Sequence, residues 1–185
     1  MNKKLKKGKL LIAEPSIIGD TSFNRSVILL ADDNNLGTVG FILNKPLPYA
    51  LKDLIKNTNS NFKVFNGGPV EQDNLFFIHN SPDLIPESIE ISKGLFWGGN
   101  FKIVLELINT KLISEKEIQF FLGYSGWDEK QLDLELESNS WLLTDNVYRD
   151  DLIKKNNRNL WKEKMLELGG NYKIWSNAPE HPSYN

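Results

Sequence analysis

The stretch SVILLADDNNLGTVGFIL, residues 26–43, decides the fold class. Residues 26–31 and 38–43 are short, mostly apolar runs, a pattern typical of buried β-strands. The Asp, Asn and Gly residues between them tolerate the backbone conformations of a tight turn. The sequence therefore predicts an antiparallel β-hairpin in this part of the chain.

Further strand and helix signals extend outward from this hairpin. Apolar or alternating runs predict strands at residues 9–13, 63–70, 74–79, 87–92, 116–126 and 140–143. Helical spacing of apolar side chains predicts helices at residues 49–56, 101–110 and 159–168. Asn100 is placed to cap the second of these helices, and Gly169 to close the third.

The order of these elements also suggests how they connect. Pro46 and Pro48 lack an N–H donor, so they are expected to break the strand before the first helix. The strands at residues 63–70 and 74–79 are neighbours in sequence and are expected to form a second hairpin. Several hairpins without regular alternation of strand and helix favour the α+β class, with a mixed or largely antiparallel sheet.

The chain has the size of one domain. Its 185 residues are 40% hydrophobic and 25% charged, which suits a single hydrophobic core. We expect a single compact domain over residues 9–170. Residues 1–8 are expected to form a flexible basic tail, with solvated lysines, and residues 171–185 a C-terminal tail with little periodicity.

Composition excludes several classes of function. With 22 basic and 24 acidic residues the net charge is −2, so direct nucleic-acid binding is disfavoured. The absence of cysteine removes disulfides and thiolate chemistry and fits a reducing compartment, so we expect a cytoplasmic protein. No stretch approaches the about 18 apolar residues that a membrane span needs, so no membrane partner is expected.

The segment GYSGWDEKQLDLEL, residues 123–136, resembles a serine-hydrolase turn only at first sight. That turn needs a glycine two residues after the serine, but Trp127 follows Ser125 at this spacing. Asp128 and Gln131 have the spacing of a capping box, which favours a helix over residues 129–137. The alternating leucines of the same segment are also compatible with a strand, and in either case its acids are expected to be solvated.

Other catalytic and cofactor chemistries lack their residues. The chain has two histidines, His79 near a strand end and His181 near the C-terminus, and no visible partner for either. Two distant histidines without cysteines do not form a zinc motif, and the glycine pairs at 67–68 and 98–99 match no nucleotide-binding motif. We therefore assign no catalytic, metal or cofactor residues.

Several motifs in a fixed order carry a resemblance to a known family. The segments GKLLIAEP, FNRSVILL, GTVGFILNKP, FNGGPV, FIH, LGYSGW, QLDLEL and SWL occur in this order between residues 8 and 142. The sequence resembles the AlgH/YqgE family of small bacterial proteins over most of its length. The resemblance implies an α+β fold with a small barrel-like sheet surrounded by helices, a cytoplasmic location and no established biochemical activity.

The family label of some members is transcriptional regulator, which implies regulation without requiring DNA contact. His79 matches the family's histidine after the Gly-Gly-Pro-Val strand, whereas Asp32 and Asp33 replace the acid and histidine usual at the first hairpin turn. We therefore expect a regulatory or interaction module that binds an unknown protein or small molecule. The alternative is a hydrolase that uses His79 with a carboxylate from a distant loop.

The family motifs supply the candidate binding site. Glycine, proline and exposed aromatic residues suit recognition of shape and backbone, and the turns after three strands are expected to share one groove onto which His79 opens. An equally simple hypothesis is that the same residues only build the fold. The expected groove residues are Asn44, Lys45, Pro46, Gly67, Gly68, Pro69, His79, Tyr124, Gly126, Trp127 and Gln131.

Overall fold

A computed structural model describes residues 6–17, 20–155 and 158–178, which contain ten strands and five helices. The strands are β1 (Leu10–Ala13), β2 (Val27–Asn34), β3 (Gly37–Ile42), β4 (Pro46–Ala50), β5 (Lys63–Asn66), β6 (Val70–His79), β7 (Ile89–Ser92), β8 (Leu95–Trp97), β9 (Ile118–Asp128) and β10 (Trp141–Thr144). The helices are α1 (Leu51–Leu54), α2 (Phe101–Asn109), α3 (Gln131–Glu137), α4 (Leu160–Leu168) and α5 (Tyr172–Asn177). Two 3₁₀ segments, Pro15–Ile17 and Arg149–Lys155, complete the described elements.

All ten strands belong to one largely antiparallel sheet, which confirms the predicted α+β class. The main path runs β10-β1-β2-β3-β9-β6-β8-β7, while β5 pairs with β9 and β4 pairs with β5. The β5–β9 pairing is parallel, unlike the other pairings of the described strands. A Cβ at Gly8, just before β1, would lie 2.9 Å from the Cβ of Ser92 at the end of β7. The sheet therefore curves strongly enough to bring these two strands together.

The hairpin predicted from residues 26–43 is confirmed. Strands β2 and β3 pair antiparallel, with Leu29 opposite Phe41 and Asn34 opposite Gly37 at the turn. The register shifts between Leu30 and Asp32, which marks a β-bulge. The apolar half of β2 is fully buried, as expected for a central strand.

The second predicted hairpin is wrong, because β9 lies between β5 and β6. β6 pairs with one edge of β9. β5 pairs with the first half of the other edge at Phe120–Leu122, and β3 pairs with the second half at Ser125–Asp128. β9 carries buried aromatic side chains in both halves, so burying it at the centre outweighs the pairing of sequence neighbours.

The strand predicted at residues 38–43 ends at Ile42, before the prolines, as expected, but the prolines themselves lie in a new strand. Pro46 and Pro48 both lie in β4, which within the described residues pairs with β5 alone. Proline is tolerated there because the other edge of β4 has no neighbour that needs an N–H donor. The helix expected at residues 49–56 is correspondingly short and comprises only α1.

The helix predictions with a defined start are confirmed. The Asn100 side chain accepts a hydrogen bond from the backbone N–H of Ile103 at 3.3 Å, at the start of α2. The segment after Asp128 is a helix, α3, rather than a strand. Half of the predicted capping box forms, since the Gln131 side chain accepts from the Asp128 N–H at 3.0 Å, but the N-cap residue is Lys130.

Two terminal segments differ from the expected tails. Lys6 is buried, and its ammonium group lies 2.5 Å from the Asp133 carboxylate of α3, so it is not part of a solvated run. Helix α5 lies in the segment where the sequence shows little periodicity. The Tyr172 hydroxyl of this helix donates to the Glu14 carboxylate at 2.8 Å, which ties α5 to the end of β1. His181 lies outside the described residues.

The buried apolar side chains of the described residues form two clusters on opposite faces of the sheet. Phe41 and Phe121 belong to the larger cluster, and Phe77 and Phe120 to the smaller one beneath α2. Consecutive β9 residues thus contribute to different cores, as the alternation of a strand requires. Within the described part of the chain, no helix is both long and apolar enough to cross a membrane.

Candidate functional site

Three of the predicted motifs meet at one edge of β9, at the point where its pairing partner changes from β5 to β3. The Gly67 N–H donates to the Leu122 carbonyl at 2.8 Å, and the Gly67 carbonyl accepts from the Ile42 N–H and the Ser125 hydroxyl, each at 3.0 Å. The Asn66 N–H donates to the Lys45 carbonyl at 2.8 Å. We call this region, residues 42–45, 66–70 and 122–126, the strand junction.

The two glycines of the strand junction are required by close backbone approach. A Cβ at Gly67 would lie 2.1 Å from the Gly123 carbonyl oxygen, and one at Gly68 would lie 2.3 Å from the Tyr124 carbonyl group. Gly68 also has a φ of +149°, which L side chains rarely adopt. The Gly-Gly pair therefore builds the fold at this point, whatever else it does.

The outer side of the strand junction keeps part of the predicted groove accessible. Pro69 is exposed, and Lys45, Pro46 and Tyr124 are half-buried. The Tyr124 ring packs edge-to-face on Phe76 with the ring centroids 5.6 Å apart. Gly126 leaves room for this ring, because a Cβ there would lie 3.2 Å from Tyr124 Cε2.

Asn44 lies inside the protein rather than on a groove. It is buried, its side-chain oxygen accepts from the Val27 N–H at 2.9 Å, and its amide nitrogen donates to the Arg25 carbonyl at 2.8 Å. These bonds attach the end of β3 to the segment that precedes β2. The expectation that Asn44 lines a groove is therefore wrong.

Trp127 and Gln131 belong to a separate cluster around Glu135. The indole N–H groups of Trp127 and Trp141 both donate to Glu135 Oε2 at 2.8 Å. The Gln131 side-chain amide donates to Glu135 Oε1 at 2.9 Å. Phe23 stacks on Trp127 with ring centroids 6.1 Å apart. Both tryptophans are buried, so Trp127 is part of the core and not the wall of an open groove.

Glu135 is the important residue that sequence reasoning missed, because the acids of α3 were expected to be solvated. Its position offered a signal: Leu132 and Leu136 define the inner face of α3, and position 135 lies on the same face at helical spacing. A buried indole N–H needs an acceptor, and two tryptophans flank this helix in the sequence. A carboxylate on that face could have been identified as their partner.

His79 is held by backbone groups on both ring nitrogens. The Ser81 N–H donates to Nδ1 at 3.2 Å, so Nδ1 is the acceptor and the proton is on Nε2, which lies 3.2 Å from the Gly98 carbonyl oxygen. The side chain is fully buried, and its ring stacks on Phe96. Desolvation lowers the pKa of His79 to about 4, partly opposed by the bond to Gly98. The imidazole is therefore neutral at pH 7.

His79 does not open onto the strand junction, contrary to expectation. It pairs with Ile118 at one end of β9, whereas Tyr124 lies six residues further along the same strand. At about 3.3 Å per residue this separates the two positions by roughly 20 Å. Since both ring nitrogens are already bonded to backbone, the hydrolase alternative loses its candidate base.

The depressed pKa of His79 predicts a pH dependence of stability. The unfolded histidine takes up a proton near its ordinary pKa of 6.5, before the folded one does at about 4. The part of the unfolding free energy that depends on neutral His79 is therefore complete above pH 6.5 and decreases as the pH falls towards 4. Urea unfolding at pH 7 and 5 should show that the wild type loses as much as about 2 kcal/mol more than His79→Gln over this interval. Equal losses in the two proteins would contradict the burial of a neutral imidazole.

Comparison with known proteins identifies the family. The model of the AlgH-like family matches residues 10–173, which is most of the chain. The chain belongs to the AlgH-like family. It is 39% identical over 183 residues to a UPF0301 protein of Cytophaga hutchinsonii, with 98% of this chain and 100% of that protein covered. It is also 40% identical to a UPF0301 protein of Bacteroides thetaiotaomicron, with 97% and 91% covered.

Solved structures show the same AlgH-like fold. The solution structure of the AlgH protein from Pseudomonas aeruginosa has a TM-score of 0.70 at 26% identity, with 98% of each chain covered. The crystal structure of protein DIP2367 from Corynebacterium diphtheriae has a TM-score of 0.73 at 20% identity, with 96% of this chain and 95% of that chain covered. The members named here as UPF0301 have no stated activity, so the family gives a fold and leaves the function to be argued from the site.

Proposed function

We propose that this AlgH-like protein is a cytoplasmic regulatory or interaction module that binds a protein or small-molecule partner and performs no bond-breaking step. Any effect on transcription would be exerted through this partner and not by contact with DNA. The observation that carries the proposal is the state of His79, which is neutral, buried and bonded to backbone at both ring nitrogens. A histidine in this state is poorly suited to proton exchange with a substrate.

Two acids of α3 are already engaged in structural contacts. Glu135 is occupied by two indole N–H groups and one amide, and Asp133 pairs with Lys6. Among residues 6–17, 20–155 and 158–178, no three His, Asp or Glu side chains are grouped so that they could hold a metal ion. Partner binding is thus the function that the described side chains support best.

The accessible side of the strand junction is the proposed binding surface. Pro69 is exposed there beside the half-buried side chains of Lys45, Pro46 and Tyr124. Aromatic residues such as Tyr124 are enriched in protein interfaces. The prolines of β4 remove N–H donors from the neighbouring sheet edge, which disfavours binding by strand addition. Recognition would therefore use side chains and the rigid backbone of the junction.

A quantitative pull-down from bacterial cytoplasm tests this surface. Pro69→Arg adds a bulky charge at an exposed position of the strand junction, and Lys102→Glu changes an exposed position of α2 as a control. We expect a partner to be recovered with wild type and Lys102→Glu and to be strongly depleted with Pro69→Arg. Equal recovery by all three proteins would exclude the strand junction as the binding surface. Trp127→Ala is unsuitable, because it removes a core side chain.

The protein is expected to show no salt-sensitive affinity for random duplex DNA. Its net charge of −2 gives no overall positive field that would attract the phosphates of DNA. Fluorescence anisotropy of a labelled duplex, between about 50 and 200 mM salt, measures this affinity. Micromolar binding with a steep salt slope would contradict the indirect mode of regulation. A chain that lacks residues 1–5 controls for the lysines at the N-terminus.

A further inference from the structure

Helix α5 is only weakly packed against the rest of the protein. Of its six residues Ser176 alone is buried, while Ile174 and Trp175 are 72% and 40% exposed. Within the described residues, Asn171 precedes the helix without a side-chain capping bond. A helix of this length is not stable in isolation, because its nucleation costs more than its few hydrogen bonds return. The folded state of α5 therefore depends on contacts made from outside the helix.

The turn between α4 and α5 has the properties of a hinge. It consists of Gly169 and Gly170, whose φ values are +73° and +50°. Apart from their chain neighbours, no atom of the described residues would lie within 4 Å of a Cβ at either glycine. Glycine tolerates large backbone rotations, so rotation at this open turn moves α5 without disturbing the core. Helix α4 itself is fixed, because the buried Trp161 indole donates to the Ala13 carbonyl at 2.8 Å.

The side chain of Arg25 holds the C-terminal end of α5. Its Nη2 donates to the Ala178 carbonyl, directly after the helix, at 2.8 Å. The same guanidinium group lies 5.0 Å from the centroid of the Trp161 ring, within the range of a cation–π interaction. At the other end of α5, the Tyr172 hydroxyl bonds to Glu14. Arg25 thus connects the end of α5 to the fixed helix α4.

The backbone of Arg25 is bound to the strand junction. Its φ of +54° is uncommon for a residue other than glycine and persists only where the surrounding contacts enforce it. The Arg25 carbonyl accepts from the side-chain amide of Asn44, a residue of the strand junction, at 2.8 Å. The neighbouring Lys45 ammonium group donates to the Ser22 carbonyl at 2.6 Å. Residues 20–25, which we call the linking turn, therefore contact both the strand junction and the end of α5.

Hydrogen bonds within the linking turn join its two ends. Asp20 Oδ1 accepts from the backbone N–H groups of Ser22 and Phe23 at 2.9 and 3.1 Å. The Asn24 N–H donates to the Asp20 carbonyl at 2.8 Å. Contiguous hydrogen-bond networks of this kind carry energetic coupling between separate sites. A change at Ser22 is therefore transmitted to Arg25.

We propose that α5 is a hinged flap and that the linking turn couples its closure to the strand junction. When a partner's acceptor group draws the Lys45 ammonium away from the Ser22 carbonyl, the turn loosens, Arg25 releases Ala178 and α5 opens. Closure of the flap thus opposes partner binding, and by thermodynamic reciprocity partner binding opposes closure to the same extent. This regulation rests on the proposed function, since it concerns the same binding surface.

Amide hydrogen exchange of the ¹⁵N-labelled full chain, followed by NMR, tests the flap without any partner. The reporters are the Ile174 and Ala178 amides, which donate to the Asn171 and Trp175 carbonyls. In the wild type we expect their protection factors to be at least about tenfold lower than those of the α4 amides, because α5 opens locally. Equal protection in the two helices would overturn the proposal, since α5 would then open only together with α4.

The variant Arg25→Asn tests the tether. Asparagine tolerates the left-handed backbone of this position, so the substitution removes the guanidinium group without adding backbone strain. It should lower the protection of the two α5 amides about tenfold, because a hydrogen bond and a cation–π contact are lost, and it should affect α4 much less. Lys111→Asn is the matched control, because Lys111 is an exposed basic residue with a φ of +60°, and it should change neither helix.

The variant Lys45→Met tests the coupling, because it reproduces the loss of the bond to the Ser22 carbonyl. It should lower the protection of the two α5 amides about threefold, whereas Lys52→Met at an exposed position of α1 should not.

Three results with these variants would overturn the proposal. Unchanged α5 protection in Arg25→Asn would show that Arg25 does not hold the flap, and unchanged protection in Lys45→Met would show that junction and flap are not coupled. An equal fall of protection in α4 and α5 would reveal a loss of global stability. Each of these results leaves the strand junction to be judged by the pull-down, so the two proposals fail separately.

Discussion

Replacing Gly67 by alanine is expected to destabilise the protein by at least about 3 kcal/mol, among the larger effects of a single substitution. The added Cβ would lie 2.1 Å from the Gly123 carbonyl oxygen and 3.0 Å from the Phe121 Cβ. Both obstacles are part of the central strand β9, so neither can move without disturbing the sheet. For a domain of this size, the melting temperature should fall by roughly 6–12 °C or more.

Gly126→Ala is the matched control for this prediction. Gly126 lies in β9 and has no positive φ. A Cβ there would lie 3.2 Å from Tyr124 Cε2 and 3.6 Å from Val70 Cγ2, so it would meet side chains and not the backbone of a neighbouring strand. We expect a change within about 1 kcal/mol, measured by thermal and urea unfolding. Similar losses in the two variants would show that crowding at the strand junction is not the reason for glycine at position 67.

Replacing Glu135 by alanine is expected to cost about 3 kcal/mol of unfolding free energy. The substitution leaves the buried indole N–H groups of Trp127 and Trp141 without their shared acceptor, which lies 2.8 Å from each. Each unpaired buried donor contributes about 1–3 kcal/mol to this loss. The near-ultraviolet circular dichroism of the tryptophans should change with it, because their fixed orientation depends on the carboxylate.

Two variants on the same helix test the cause of this loss. Glu137→Ala removes an exposed acid of α3 and should change stability by less than about 0.5 kcal/mol. Glu135→Gln keeps one acceptor oxygen but loses the charge, so we expect a loss between those of the two alanine variants. If Glu135→Ala were as stable as Glu137→Ala, the two indole bonds would not contribute to stability.

Much of the candidate site could be located from the sequence, but its chemistry could not. The motifs containing Lys45, Gly67 and Tyr124 do come together, as expected from strands that end at turns. Their spacing did not reveal that Gly67 and Gly68 are pressed against the β9 backbone, since this contact depends on which strands are neighbours. The sequence offered His79 as a base only in the alternative hydrolase hypothesis, and the structure shows that both of its ring nitrogens are bonded to backbone groups.

The sequence by itself determined the local elements. The β2–β3 hairpin follows from two apolar runs around a turn, and α2 from its helical stripe and the Asn100 cap. The sequence also favoured a helix for α3, although the predicted cap, Asp128, is not its N-cap. All of these signals act between near neighbours in the chain, where the backbone geometry fixes the distances.

The tertiary structure decided which strands meet and which polar groups are used. Ser125 bonds to Gly67 across 58 positions of sequence, and Trp161 donates to the Ala13 carbonyl across 148. β5 and β6 are separated by β9 because that order buries the aromatic strand on both faces, at the cost of the simpler hairpin. Such partners are chosen by the packing of the whole chain, and their separation in sequence carries no local pattern from which they could be predicted.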